Sequence, residues 1–280
     1  MDTSARIRTA LPVALLGAII LFASISAEAS HSWGTYHWAR IANPFTLKLG
    51  DNVSGMWDAS LSTASSDWSA DPSILFPGAG IVKVLTTTIV AGNGIKNCKA
   101  TSGTVQVCNN KYGNNGWLGV AQIWASGSHI TQGTVRLNDT YFNTPSYNTA
   151  AWRNLVMCQE IGHTFGLDHQ DEIFGNPNLG TCMDYTDDPS TNQHPNQHDY
   201  WQLASIYSHG DSFTTVSSVS ASKPGASGAA QSEDFENATE WGKEVRISKD
   251  GRNSIYERDL GNGRKVFTFV IWADSTRSGK

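Results

Sequence analysis

Cys158-Gln159-Glu160-Ile161-Gly162-His163-Thr164-Phe165-Gly166-Leu167-Asp168-His169 is the stretch on which the reading of this chain turns. It closes the strongest helical pattern, residues 148–165, in which Trp152, Leu155, Val156, Gln159 and His163 share one face. Gln159 and His163 are four apart, so their side chains point the same way, with Glu160 one step round. His169 lies six residues past His163, about 240° round a continuous helix, and would face away. Gly166 resolves this, because glycine permits the left-handed turn that ends a helix and swings the chain back. His163 and His169 then converge on one point.

Further on, Thr181-Cys182-Met183-Asp184-Tyr185 places a methionine fourteen residues after His169. The two stretches together resemble the metzincin clan of zinc endopeptidases, whose signature is H-E-x-x-H-x-x-G-x-x-H followed by a Met-turn. The resemblance covers roughly Trp33 to His209, similar to the catalytic domains of matrixins and astacins. It implies an α+β fold: a twisted mixed β-sheet, an active-site helix, a Met-turn at Met183 and a C-terminal helix. It also implies that His163 and His169 hold Zn2+, that Glu160 is the general base and then acid of peptide hydrolysis, and that Tyr185 assists the metal site or the oxyanion. An extended protein or peptide substrate would add to the sheet along an edge strand, residues 117–124. The residues alone read that segment equally well as a core strand.

The chain departs from the signature at one place: the first ligand position is Gln159. A neutral amide oxygen is a poorer zinc ligand than an imidazole nitrogen. Three readings follow. Gln159 coordinates through its oxygen; His194 or His198 takes its place; or no metal binds and the chain is a catalytically silent, exported binding module. Glu160 and Tyr185, which a silent scaffold does not need, favour the enzyme. Asp168, Asp171 and Glu172 read as solvated loop charges, although related enzymes bind Ca2+ in this region. His31, His37, His129 and His209 show no metal spacing and read as surface or satisfied histidines. Asp184, Asp187 and Asp188 read as shaping the chain after the Met-turn. Asn52, Asn138 and Asn237 fit N-x-[ST], a frequent chance match.

Arg6 and Arg8, an apolar run from Leu11 to Ile25 and Ala27-Glu28-Ala29 have the order of a secretory signal, so residues 1–29 are expected to be removed. A run of 15 residues containing Pro12 falls short of the ~20 that span a bilayer. A secreted or periplasmic monomer without stable membrane insertion is expected. Only a few residues separate the signal from the first strand, leaving no space for an inhibitory pro-segment. Export permits disulfides, and the four cysteines allow three pairings. Cys98 and Cys108 flank a Gly-containing segment that reads as a hairpin, which favours Cys98–Cys108 and Cys158–Cys182.

The remaining chain is read from its patterning. With 20 Lys+Arg against 25 Asp+Glu and no basic stripe, nucleic acid is not an expected partner. Residues 38–49, 81–90, 117–124 and 130–137 read as strands, and 50–65 and 199–208 as helices. Residues 30–211 form the catalytic domain in this reading. Residues 212–232, rich in Ser, Ala and Gly, form a linker. Residues 233–280 hold three alternating runs (241–248, 254–260 and 264–273) that read as a small β-meander needing a neighbour for stability.

Overall fold

Alternation of apolar and β-branched residues builds nine strands among the residues that the computed structural model describes, which are 1, 30–94, 98–217 and 235–273. The expected signal segment, Met1 aside, residues 218–232 of the Ser-rich stretch, and residues 233–234 and 274–280 of the expected C-terminal segment lie outside them. In chain order the strands are β1 (His37–Trp38), β2 (Phe45–Asn52), β3 (Leu85–Ala91), β4 (Thr104–Asn110), β5 (Trp117–Ser126), β6 (His129–Asn138), β7 (Lys243–Ile247), β8 (Asn253–Gly261) and β9 (Arg264–Trp272). They form one mixed sheet in the order β3-β2-β4-β6-β5-β9-β8-β7, with β1 also pairing β6. The pairs β2–β3, β2–β4, β4–β6 and β1–β6 are parallel; from β5 onward every pair is antiparallel.

Helices are few: α1 (Asp58–Trp68), α2 (Pro72–Leu75), α3 (Asp139–Phe142), α4 (Ala150–His163) and α5 (Gln197–Ile206). The motif helix α4 starts at Thr149, whose side chain accepts from the Trp152 N–H, and α5 opens on a capping box between Asn196 and Asp199. α1 begins later than its periodicity suggests, because β2 extends to Asn52 and Gly55, at φ 60°, starts a short 3-10 turn. The main core lies where α1 and α4 cover one face of the sheet, around Leu47, Leu61, Trp68, Leu155, Val156 and Ile161. Among the described residues, no helix is long and apolar enough to cross a membrane.

Two expectations are overturned. Residues 99–107 do not form a hairpin. Val105 and Val107 are fully buried, and β4 runs as an inner strand between β2 and β6. The Cys98–Cys108 disulfide is nevertheless present, joining β4 to the segment before it, and Cys158–Cys182 is the second.

Nor is β5 an edge. β9 pairs with it antiparallel along its length, from Trp117↔Trp272 to Ser126↔Arg264. The cause is legible in β9 itself. Phe267, Phe269 and Ile271 enter the main core, while Val266, Val270 and Trp272 enter a second cluster with Trp117, Trp124 and Trp241 on the opposite face. A strand apolar on both faces needs cover on both. A buried polar chain crosses the same seam, from Arg136 to Gln122 Oε1 at 2.6 Å and from Gln122 Nε2 to Thr268 Oγ1 at 3.0 Å.

The meander is therefore a continuation of the main sheet. The described start of the Ser-rich stretch is also tied down, since Thr215 N–H donates to Ala39 O and Ser217 N–H to Gly103 O, both at 3.0 Å. Phe267→Ala is expected to destabilise the fold by about 3–5 kcal/mol in denaturant titration. Amide exchange should then quicken along residues 264–272 ahead of the main core.

Candidate active site

Two glycines let the site close around α4. A Cβ on Gly162 would stand 2.6 Å from Met183 Sδ, so the bare helix surface seats the methionine directly beneath it. A Cβ on Gly119 of β5 would stand 2.8 Å from Glu160 Oε1, so the strand leaves space for the carboxyl group. The Cys158–Cys182 bridge ties the helix to the turn that carries Met183. Gln170 N–H, just past the motif, donates to Met183 O at 2.7 Å.

Gly166 has φ 91° and accepts from Trp33 N–H at 2.8 Å; a Cβ there would lie 2.3 Å from Tyr36 O. The chain turns back at this residue, and the rings of His163 and His169 come to 4.5 Å between centroids. His163 Nδ1 donates to Leu167 O at 3.0 Å, which leaves Nε2 with its lone pair. His169 Nδ1 faces the Tyr185 hydroxyl at 2.8 Å and Asp168 Oδ1 at 3.5 Å. Tyr185 thus sits behind His169 and holds its orientation. Gln159 Nε2 donates to Cys182 O at 3.0 Å, which fixes the amide with Oε1 free.

Three buried polar atoms here have no hydrogen-bond partner: Gln159 Oε1, His169 Nε2 and Glu160 Oε2. An unsatisfied buried group costs about 1–3 kcal/mol, so three around one motif ask for a ligand. Burial lowers the pKa of His163 well below the ordinary value, with His169 adding to it. Burial likewise lowers His169, against an upward pull from Asp168. Both shifts favour the neutral imidazole, the form that binds metal. Burial pushes the Glu160 carboxyl well above the usual range, opposed by the backbone N–H of Ala121, and pushes the Tyr185 phenol well up.

Of the acidic residues around His169, Asp168 is not solvated as expected, while Asp171 and Glu172 are partly exposed. Asp168 is buried and ion-paired with Arg246 of β7, whose Nε also lies 3.2 Å from Glu172 Oε1. Burial raises the Asp168 carboxyl, but hydrogen bonds from His169 and Arg246 outweigh it and hold it low. Asp168, His169 and Glu172 stand close enough to share a cation, yet Arg246 already supplies the positive charge, which argues against Ca2+ there.

Neither substitute for Gln159 is at the site. His194 is exposed and meets Asp67 Oδ2 at 2.7 Å, and His198 stacks on His31 at 4.7 Å. Of the acidic residues after Met183, Asp184 is buried and accepts from Leu179 N–H and Asn192 Nδ2, while Asp187 pairs with Arg252. Asn138 is fully buried as the N-cap of α3, so its N-x-[ST] match is fortuitous.

Phe269 of β9 lies flat on His163, centroids 4.4 Å apart and planes 9° from parallel. Trp33 meets both Phe267 and Phe269 edge-on at 5.5 Å, and Arg246 sits over the Trp33 ring at 5.2 Å. The C-terminal meander and the N-terminal segment together cover the motif. Sequence reading also missed a second grouping: His37, His129 and Asp211 stand within reach of one cation. The only local hint was the spacing of His209 and Asp211.

No protein-family model matches the chain, and no curated protein is similar to it.

Gly166→Ala combines a left-handed φ with a backbone clash, so a loss of at least about 1–3 kcal/mol is expected in denaturant titration. Replacing Cys158 and Cys182 together by Ser opens a loop of 24 residues' separation. Calorimetry should show about 3 kcal/mol lost, with the turn at Met183 loosened against α4.

Proposed function

We propose that this chain is an exported zinc endopeptidase held latent by its own C-terminal strand. The observation that carries the reading is the set of unpartnered buried acceptors, Gln159 Oε1 and His169 Nε2, on the motif that also carries His163. Two neutral imidazoles and an amide oxygen are a donor set that suits a divalent cation of zinc's type. The resemblance of residues 158–169 and 181–185 to metzincins supports the same choice.

Zinc bound there supplies Lewis-acid polarisation of the scissile carbonyl. Glu160 takes the proton of the attacking water and returns it to the leaving amine; its buried, raised carboxyl is suited to holding that proton between the two steps. Tyr185 and Asp168 keep the His169 ring in place through Nδ1. Leu167 O does the same for His163. An extended peptide would run antiparallel on β5, where β9 now lies. With β9 in that place and Phe269 on His163, the substrate position is filled from within the chain.

The same cover, with glutamine at position 159, favours a second reading: a silent exported binding module. Four variants separate the two, each expressed from Ser30 and assayed beside the unmodified chain on a quenched peptide library with zinc. The unmodified chain should cleave near background. Arg246→Ala with Phe269→Ser, which frees Asp168 and uncovers His163, should raise cleavage severalfold. Adding Glu160→Gln should return cleavage to background. Gln159→His should tighten zinc by about tenfold or more, or 1.4 kcal/mol. Zinc-loaded Gln159→His with β9 loosened that still cleaves nothing would leave the silent module as the function.

A further inference from the structure

We infer that His37, His129, His209 and Asp211 form a second zinc site, independent of the motif, that pins the N-terminal strand to the β5–β6 turn and the end of α5. The backbone sets it up. β1 pairs parallel with β6 so that His37 and His129 are direct partners in register. His37 N–H also donates to Ser128 O at 3.1 Å. The chain leaving α5 is drawn to the same place, because Asp211 N–H donates to Arg40 O at 2.9 Å and Arg40 N–H to Asp211 Oδ2 at 3.1 Å.

Three side-chain ligand atoms, from His37, His129 and Asp211, then lie within 4.8 Å of one another. Asp211 Oδ1 lies 3.3 Å from His129 Nε2 and 3.5 Å from His37 Nε2. His209 joins the cluster from the side, its Nε2 3.1 Å from His37 Nε2 and 3.9 Å from Asp211 Oδ1. Ligands of a tetrahedral zinc stand roughly 3.3 Å from one another when each is about 2.05 Å from the ion. The separations of the three are close to that, and a turn of the exposed His209 ring supplies the fourth ligand.

Protonation states single out a cation. His37 Nδ1 lies 2.8 Å from Thr35 O, a carbonyl that only accepts, so Nδ1 carries the hydrogen. In neutral His37 the Nε2 lone pair then faces a carboxylate oxygen and another imidazole nitrogen. A proton on Nε2 would satisfy one of these contacts; a metal ion satisfies all of them. The Thr35 contact is also the outer-shell bond that zinc-ligating histidines make. Asp211 is arranged likewise. Arg40 NH1 takes Oδ2 at 2.8 Å and leaves Oδ1 toward the histidines. His37 is buried, His129 half-buried and His209 exposed, which gives the ion a way in. Three nitrogens and one carboxylate oxygen in this arrangement select zinc over Mg2+ or Ca2+, which prefer oxygen sets.

The test uses the full chain without a histidine tag, stripped with chelator and titrated with Zn2+ against a chromophoric competitor. His129→Ala with His209→Ala, both on accessible side chains, should lower the zinc count by one equivalent, or weaken that equivalent by more than the roughly 10–100-fold that follows loss of an outer-shell partner. The pair His163→Ala with His169→Ala should leave this equivalent untouched, so the site stands or falls separately from the motif. Co2+ should give the visible absorption of a tetrahedral ion in the His163/His169 variant and lose it when His129 and His209 are replaced as well. Diffraction at the zinc edge on wild-type crystals, which needs no variant to fold, should place an anomalous peak among the four side chains. An equal zinc count in wild type and the His129/His209 variant, or no anomalous peak there at millimolar zinc, overturns the site and leaves a hydrogen-bonded His–Asp cluster.

Discussion

Everything near the motif depends on the reversal at Gly166. A helix carries His163 and then keeps turning away from any sixth residue; only a break into the left-handed region brings His169 round. The break is held from outside the helix. Trp33 N–H bonds Gly166 O, Asp168 N–H bonds His31 O, and Tyr36 O sits where a side chain on residue 166 would have to go. The N-terminal segment is thus a part of the site wall. The same ten residues reach the second histidine grouping at His37 and Arg40. One segment therefore borders both the turn at the motif and the proposed outer zinc site.

What could be read in the chain beforehand follows from how local each feature is. The motif helix and the turn at Gly166 rest on spacings of a few residues, and such spacings carry their own geometry. The Cys158–Cys182 pairing, across 24 residues, followed only by elimination from a hairpin that the fold does not contain. The meander was legible because turn residues at Asp250-Gly251 and Gly261-Asn262-Gly263 punctuate alternating runs. Its destination was not. The nearly unbroken apolar run of β9 says that both faces are buried, but nothing within nine residues names β5 as the neighbour. The misread hairpin before Cys108 fails for the same reason: a parallel strand and one arm of a hairpin share composition, and only the partners β2 and β6 tell them apart. His37, His129 and Asp211 converge across separations of more than 80 residues, beyond any motif.

The covering of β5 changes what the glutamine at position 159 means. Read alone, an amide in place of an imidazole weakens the metal site and suggests decay. In the fold its Nε2 is anchored on Cys182 O and its Oε1 is left without a hydrogen-bond partner. Glu160 likewise faces a glycine in β5. The motif side chains are buried, and what stands over His163 is Phe269 of the same chain.

How firmly that piece holds decides which events can open the site. Val266, Phe267, Phe269, Val270 and Ile271 are all buried in β9. At about 1.5–3 kcal/mol for each such side chain, their burial is worth on the order of 10 kcal/mol, an upper estimate because the unfolded strand is not fully exposed. A substrate adding to β5 would regain the ladder hydrogen bonds but few of those apolar contacts, and it would compete with a strand tethered at an effective concentration in the millimolar range. On the proposed latent-protease reading, substrate binding alone would not displace β9. Opening would then require a partner or a covalent change that weakens the hold of the meander, and the ion pair between Arg246 and Asp168 is the contact most exposed to such a change, since Arg246 is partly accessible while the phenylalanines are not.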